Sequence, residues 1–404
     1  MKIAFVTGSF PKLSETFVLD QITGLIDLGH DVEVFAFEST HESVRHAAIE
    51  RYALFERTTV LDRKRRGTLP GALACLPDLG RWLTGPRYRD ALKTRWAHGR
   101  RGPFDVIYCH FGHVAERARR LRRVGFFEGP LVAVFHAYDL AVWPRLHGPD
   151  CYAELFAEAE RLLPITQHWR RRLLELGAGD EKIEVRRMGI DLGTFGFRER
   201  KAGPSESVEF VSVGRLVEKK GFGLAIEAFA RVRSRMPRRF SYHVVGDGPL
   251  RSELEALTSR CGLSDLVTFH GEKSRDDVAK LLDSKHVLVA PSVTAKDGDT
   301  EGLPMVLIEA MARGLPVVTT THSGIPELVS DGVTGFLVPE GDVDALGSAL
   351  LDAMSEERWP ALSRAARSTV EERHDGRRLV HELVRLFESL PGAVTASDRA
   401  GAGH

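Results

Sequence analysis

Short apolar runs alternate with amphipathic stretches along most of this chain, and the series breaks once and starts again. The runs at residues 2–7, 31–37, 105–109, 131–135 and 162–165 have strand length and little polar alternation. Strands that are apolar on both faces belong in parallel sheets, where helices cover both sides. Residues 16–28, ended by Gly29, carry helical periodicity. Residues 191–206 shift to Gly, Arg, Ser and Pro, and the pattern then resumes at 208–213. A glycine-rich turn, a helix at 222–235 and strands at 242–245, 267–269, 287–290 and 316–319 follow. The predicted fold class is α/β, with two Rossmann-like doubly wound domains facing across a cleft. The domains are expected at 1–195 and 196–373, with a final helix at 374–390 packing back on the first domain. Residues 391–404, small, polar and Gly/Ala-rich, read as a flexible tail. Weaker periodicity and several Pro and Gly predict helices and loops between 39 and 103.

At 404 residues the chain exceeds what one core usually supports. With 56 basic and 56 acidic residues, no global field favours nucleic acid. Basic clusters do occur at Arg63, Lys64, Arg65 and Arg66, and at Arg117, Arg119, Arg120, Arg122 and Arg123. They read as a solvated helix face or as a site for anionic lipid or polymer. The four cysteines, Cys75, Cys109, Cys151 and Cys261, are scattered without a CxxC, which suits a reducing cytoplasm. The first ten residues fit a buried strand better than a signal peptide, and no apolar run is long enough to span a membrane. A cytoplasmic location is expected, with peripheral membrane attachment left open.

Open α/β sheets bind ligands outside the carboxyl ends of their strands, and the informative motifs fall there. Gly214-Arg215-Leu216-Val217-Glu218-Lys219-Lys220-Gly221 follows one strand and leads into a helix. Backbone N–H groups and the helix dipole favour an anion at such a place. Arg215 can grip a phosphate bidentately, and Lys220 adds a point charge. The spacing is not that of a Walker A loop. A solvated loop with surface cations is the alternative.

The second motif runs from Asp297 through Glu301-Gly302-Leu303-Pro304 and Glu309 to Gly314. Pro304 suits a first helical turn, Glu301 precedes that helix, and Glu309 lies within it. Carboxylates near a helix start accept hydrogen bonds from sugar hydroxyls, while free N–H groups of Gly302 and Leu303 bind oxygens. Glu309 interrupts an apolar run, where an unpaired carboxylate is costly to bury; a ribose diol would be a suitable partner. Asp297-Gly298-Asp299 could be a D-x-D metal motif, but an Asx-type turn is the simpler account.

These two segments resemble the signature of retaining family 4 glycosyltransferases with the GT-B fold: G-R-x(4,5)-K-G, then E-x7-E. Residues 291–304, with His322-Ser-Gly-Ile-Pro-Glu-Leu-Val329, are similar to exopolysaccharide enzymes of the colanic-acid biosynthesis type. The resemblance covers residues 207–340 most closely, 1–37 and 105–190 less so, and not 39–103 or the tail.

The resemblance implies a role for each matching position. Arg215 and Lys220, with Gly214, would hold the diphosphate of a nucleotide sugar and stabilise the leaving group. Glu309 would bind the ribose. Glu301, with the backbone of Gly302, Leu303 and Pro304, would hold the sugar. Gly8 would sit where the loop after the first strand nears the diphosphate. His136, in Phe-His-Ala-Tyr-Asp139, matches the histidine beside the donor sugar, against the plainer reading of a core histidine. His110, His113 and Asp139 would line the acceptor pocket; the i,i+3 histidine pair alone is weak evidence for zinc. No cofactor would be required and no divalent metal essential. A hexose would move with retention from a UDP-sugar, or from GDP-mannose, to a saccharide or lipid-linked saccharide. A soluble secondary metabolite is the alternative acceptor. Three competing classes remain: a glycoside hydrolase using Glu301 and Glu309, a non-catalytic nucleotide-sugar-binding protein, and an NAD-linked oxidoreductase. The last lacks G-x-G-x-x-G after the first strand.

Overall fold

The computed structural model describes residues 1–12, 15–40, 46–61, 86–200 and 207–391. Two compact units divide the chain. The first holds Met1–Pro164, Arg170–Arg186 and the chain from Val380; the second holds Ile165–Trp169 and Arg187–Leu379. The crossing thus falls between Arg186 and Arg187, ahead of the expected boundary at 195, and residues 165–169 go with the second unit. Residues 165–169 are held to the second unit by the carboxylate of Glu327, which accepts from the backbone N–H of Gln167 (2.9 Å) and of His168 (2.8 Å).

The first unit is built on a sheet of β1 (Lys2–Phe10), β2 (Asp31–Ser39), β3 (Thr58–Val60), β4 (Val106–His110), β5 (Leu131–Phe135) and β6 (Arg161–Pro164). Their spatial order is β3-β2-β1-β4-β5-β6, all parallel. Ile3, Ala4, Phe5 and Val6 are fully buried, as a strand covered on both faces must be. The helix Thr16–Asp27 lays Ile22 and Leu25 into the core. From Val380 onward the last helix belongs to this unit, its Phe387 ring 5.1 Å from that of Tyr108.

The second sheet comprises β7 (Val208–Val213), β8 (Phe240–Val245), β9 (Val267–Phe269), β10 (Val287–Ala290), β11 (Val317–Thr320) and β12 (Phe336–Val338). Its order, β12-β11-β10-β7-β8-β9, repeats the topology of the first. The helix Phe222–Val232 buries Phe222, Ala225, Ile226, Phe229 and Val232, the stripe an amphipathic helix turns to a sheet. Phe229 stacks on Phe240 at 5.2 Å and meets Phe210 edge-on at 5.0 Å. β3 and β12, each three residues long, were not among the expected strands. The expected helix at 374–390 is Gly376–Glu388, and a separate helix, Trp359–Arg373, precedes it. The chain breaks at His374, whose Nδ1 lies 2.7 Å from the Met188 carbonyl and whose own carbonyl accepts from Ile190 N–H.

Candidate functional site

Order reverses between β7 and β10 in the second sheet, and loops leaving those strands diverge there. The loop after β7 is pinned by Gly214 N–H to the Val245 carbonyl (2.9 Å) and Leu216 N–H to Asp247 (2.9 Å), with Leu216 fully buried. Arg215 between them is turned outward, exposed, and makes no ion pair among the described residues. Gly214 has φ +154°, and a Cβ on it would come within 3.3 Å of Lys220 Cε, so the glycine clears space for that lysine's stem. Gly221, at φ +67°, caps the following helix; a Cβ there would lie 1.9 Å from the Pro291 carbonyl oxygen. These contacts fix the loop on the carboxyl ends of β7 and β10.

Two lysines of this loop meet the acidic motif. Lys220 Nζ donates to Glu301 Oε2 at 2.9 Å. Lys219 Nζ lies 3.0 Å from an Asp299 carboxylate oxygen and 3.6 Å from Glu301 Oε1. Burial would push the Glu301 carboxyl up, yet Lys220 and Lys219 outweigh it and hold the group below the usual range. Glu301 N–H donates to His322 Nε2 (3.1 Å), and His322 Nδ1 faces Glu340 at 2.7 Å. The accepting Nε2 places the imidazole proton on Nδ1, so Glu340 orients His322 and His322 orients Glu301. Lys219 and His322 lie in segments quoted from the sequence but were given no role there, since neither a second lysine beside the motif lysine nor a histidine 21 residues after Glu301 carries a spacing signal.

Asp299 N–H donates to Asp297 Oδ1 at 2.8 Å, making the Asx turn, and the Asp299 carboxylate is engaged by Lys219. Among the described residues no group of three or more His, Cys, Asp or Glu is placed to hold a metal ion. Pro304 is the N-cap of the helix Met305–Ala312, one position before the expected first turn. No protein acceptor for the N–H of Gly302 or Leu303 is found among the described residues. Glu309 is 7% exposed within that helix.

In the first unit the carboxyl ends of β1, β4 and β5 gather the remaining residues. Gly8 is not forced by its surroundings, since a Cβ would meet only Val114 at 3.6 Å. His136 follows β5 with its ring 4.9 Å from Phe17 and 4.5 Å from Phe111, and its Nε2 lies 3.1 Å from His110 Nδ1. Burial holds His136 down at about 3 and His110 well below the ordinary histidine value. Two expectations fail here. His110 is fully buried against His136 and Gln21, and Asp139 is fully buried with its carboxylate accepting from the N–H groups of Gly112 (2.7 Å) and His136 (3.0 Å). Neither can line an acceptor pocket; Asp139 ties the end of β5 to the start of the helix Gly112–Arg123. His113 does line a pocket of about 380 Å³, with Trp143, His147, Arg117 and Phe37.

The second basic cluster is largely neutralised by glutamates, including the exposed Arg123, which pairs with Glu158 at 3.0 Å. Arg119 is 1% exposed and bound by Glu116 and Glu158, Arg120 pairs with Glu116, and Arg122 with Glu160. Arg117 lies 3.6 Å over the Phe37 ring. This helix therefore presents no free basic stripe to a lipid or polymer. Arg63 to Arg66, Cys75 and residues 392–404 lie outside the described residues. No described helix is long and apolar enough to cross a membrane.

Two doubly wound sheets, with a cationic loop at one switch point facing an acidic helix start, define an α/β transferase of GT-B architecture. The family model "Glycosyltransferase Family 4" matches residues 14–194 and "Glycosyl transferases group 1" matches 196–371. The chain belongs to this glycosyltransferase family. It is 36% identical to the putative colanic acid biosynthesis glycosyltransferase WcaL of Salmonella typhimurium, over 96% of this chain and 100% of that one. It is 38% identical to the amylovoran biosynthesis glycosyltransferase AmsK of Erwinia amylovora, with the same shares covered. The crystal structure of Anabaena Alr3699/HepE in complex with UDP and glucose superposes with a TM-score of 0.72 at 21% identity, covering 96% and 100% of the chains.

Proposed function

We propose that the chain transfers a hexose, with retention, from a nucleoside-diphosphate sugar to a hydroxyl of a saccharide or lipid-linked saccharide in exopolysaccharide assembly. The observation that carries this reading is Arg215, exposed and without an ion pair among the described residues, in the same loop after β7 whose Lys220 meets Glu301. Arg215 and Lys220 would take the diphosphate. Glu301 and the unpaired N–H groups of Gly302 and Leu303 would take the sugar, Glu309 the ribose, and His136 a sugar hydroxyl. The sugar C1–oxygen bond to phosphate would break while the acceptor oxygen bonds C1 on the same face. The acceptor proton would pass to the departing diphosphate, whose charge Arg215 and Lys220 stabilise. A UDP-sugar is preferred over GDP-mannose because the HepE structure carries UDP and glucose. Exopolysaccharide assembly rests on what WcaL and AmsK are named for. No divalent ion enters this scheme, since cationic side chains meet the phosphates.

The test is incubation of the purified chain with UDP-glucose, UDP-galactose and GDP-mannose plus extracted lipid-linked saccharides, with and without EDTA. A glycoside with the donor's anomeric configuration and one nucleoside diphosphate released per transfer is the expected result. Free reducing sugar from a saccharide, without nucleotide release, would instead support a glycoside hydrolase.

A further inference from the structure

With Gln21 turning its carboxamide oxygen to both Tyr108 and His110, a chain of four side chains in the first unit has one consistent proton arrangement. Tyr108 Oη donates to Gln21 Oε1 at 3.0 Å, and His110 Nε2 lies 2.9 Å from the same oxygen. A carboxamide oxygen only accepts, so His110 Nε2 carries hydrogen. His110 is fully buried among Phe5, Tyr108 and Phe17 and stays neutral, so its Nδ1 is bare. That bare nitrogen, 3.1 Å from His136 Nε2, must accept, and His136 carries its one hydrogen on Nε2. His136 Nδ1 is then a lone pair, and no protein donor to it is found among the described residues. Phe17 and Phe111 flank the ring, and Asp139 holds the backbone N–H of His136, so the imidazole cannot easily turn to exchange its nitrogens.

We infer that Gln21 and His110 are positioning residues that lock His136 in the Nε2–H tautomer, so that Nδ1 presents only an acceptor. The part played by the sugar rests on the reading above. A hydroxyl of the transferred hexose satisfies a bare nitrogen, whereas a deoxy position leaves it unpaired and a carboxylate confronts it with a second acceptor. The locked ring thus selects a neutral hexose bearing a hydroxyl at that position and disfavours deoxyhexose and uronic acid donors. Nothing in the local sequence around His136 encodes this, because Gln21 comes from the helix after β1.

The tautomer is read without ligand or turnover, by long-range nitrogen–proton NMR on protein labelled with 15N-histidine, at about pH 8 where both rings are neutral. His110→Asn and His136→Asn variants assign the two signals. Protons on Nε2 of both rings are expected. A proton on His136 Nδ1 would overturn the inference, whatever the enzyme does. Gln21→Leu removes the accepting oxygen and should give His136 a mixture of tautomers, while Gln21→Glu, which keeps an acceptor, should restore the single form. An unchanged His136 signal in Gln21→Leu would also overturn it. With the preferred donor, Gln21→Leu should lower kcat/KM about ten-fold, the loss of one buried hydrogen bond, and Gln21→Glu should recover it. If the tautomer shifts as expected but turnover is untouched, the lock stands and the placement of His136 beside the sugar falls.

Discussion

Lys220 Nζ lies 2.9 Å from Glu301 Oε2, an ion pair linking the loop after β7 to the segment that opens the helix Met305–Ala312. Each partner is the other's counter-ion while the anionic ligand is away. A diphosphate would compete with Glu301 for Lys220, leaving Glu301 to Lys219 and to sugar hydroxyls. Lys220→Ala should lower turnover about 10²–10³-fold, as removal of one donor to a developing anion does. It should also cost about 2–3 kcal/mol of stability, because a largely buried carboxylate loses a charged partner. Steady-state nucleotide release and chemical denaturation measure the two losses on one preparation.

Arg215 gives the contrasting case. It is exposed and makes no ion pair among the described residues, so nothing in the fold depends on its charge. Arg215→Ala should lose turnover by about 10²–10³-fold while stability stays within about 0.5 kcal/mol. Full activity in this variant would remove the loop from the diphosphate site.

Donor preference is read by thermal stabilisation. A ligand that binds only the folded chain at 100 times its Kd adds about 2.7 kcal/mol. UDP should raise the midpoint at lower concentration than GDP, and Arg215→Ala should abolish the shift. Equal shifts with both nucleotides would leave the base unrecognised.

Four histidines, of which His110, His136 and His374 are buried and His113 half-buried, set an acid limit. Burial holds His136 at about 3, His113 and His374 at about 4, and His110 well below its ordinary value. Unfolded histidine titrates near pH 6.5, so below that the unfolded chain binds more protons than the folded one. Their contribution to stability is complete above about pH 6.5 and is lost as pH falls toward the folded values. Asp139, raised to about 7 by burial, binds its proton in the folded state first and offsets one of the four. Melting temperature should fall from pH 7 to pH 5 and fall less steeply in His136→Phe. A flat profile in the wild-type chain would contradict this account.

Much of the architecture was legible in the residues. Val208–Val213, Val267–Phe269 and Val287–Ala290 fall at their expected positions, and Val287–Ala290, central in the sheet, is apolar throughout because both its faces are covered. Arg215, Lys220 and Glu301 could be picked out because glycines, cations and acids sit at fixed spacing where strands end. The helix Trp359–Arg373 was not among the expected elements, and the contacts that separate it from the last helix, His374 with Met188 and Ile190, form only in the folded chain.

Sequence by itself determined the two βα series, the cationic loop and the acidic helix start, because these follow from local periodicity and turn chemistry. Only tertiary structure decided which charges cancel and which stay available. It paired Lys219 with Asp299, set His322 behind Glu301, and sank Arg119 among glutamates. It also took His110 and Asp139 out of any acceptor surface and turned one into a partner of His136 and the other into a clamp on its backbone. Burial and hydrogen bonding between residues far apart in the chain depend on distances that no local pattern carries.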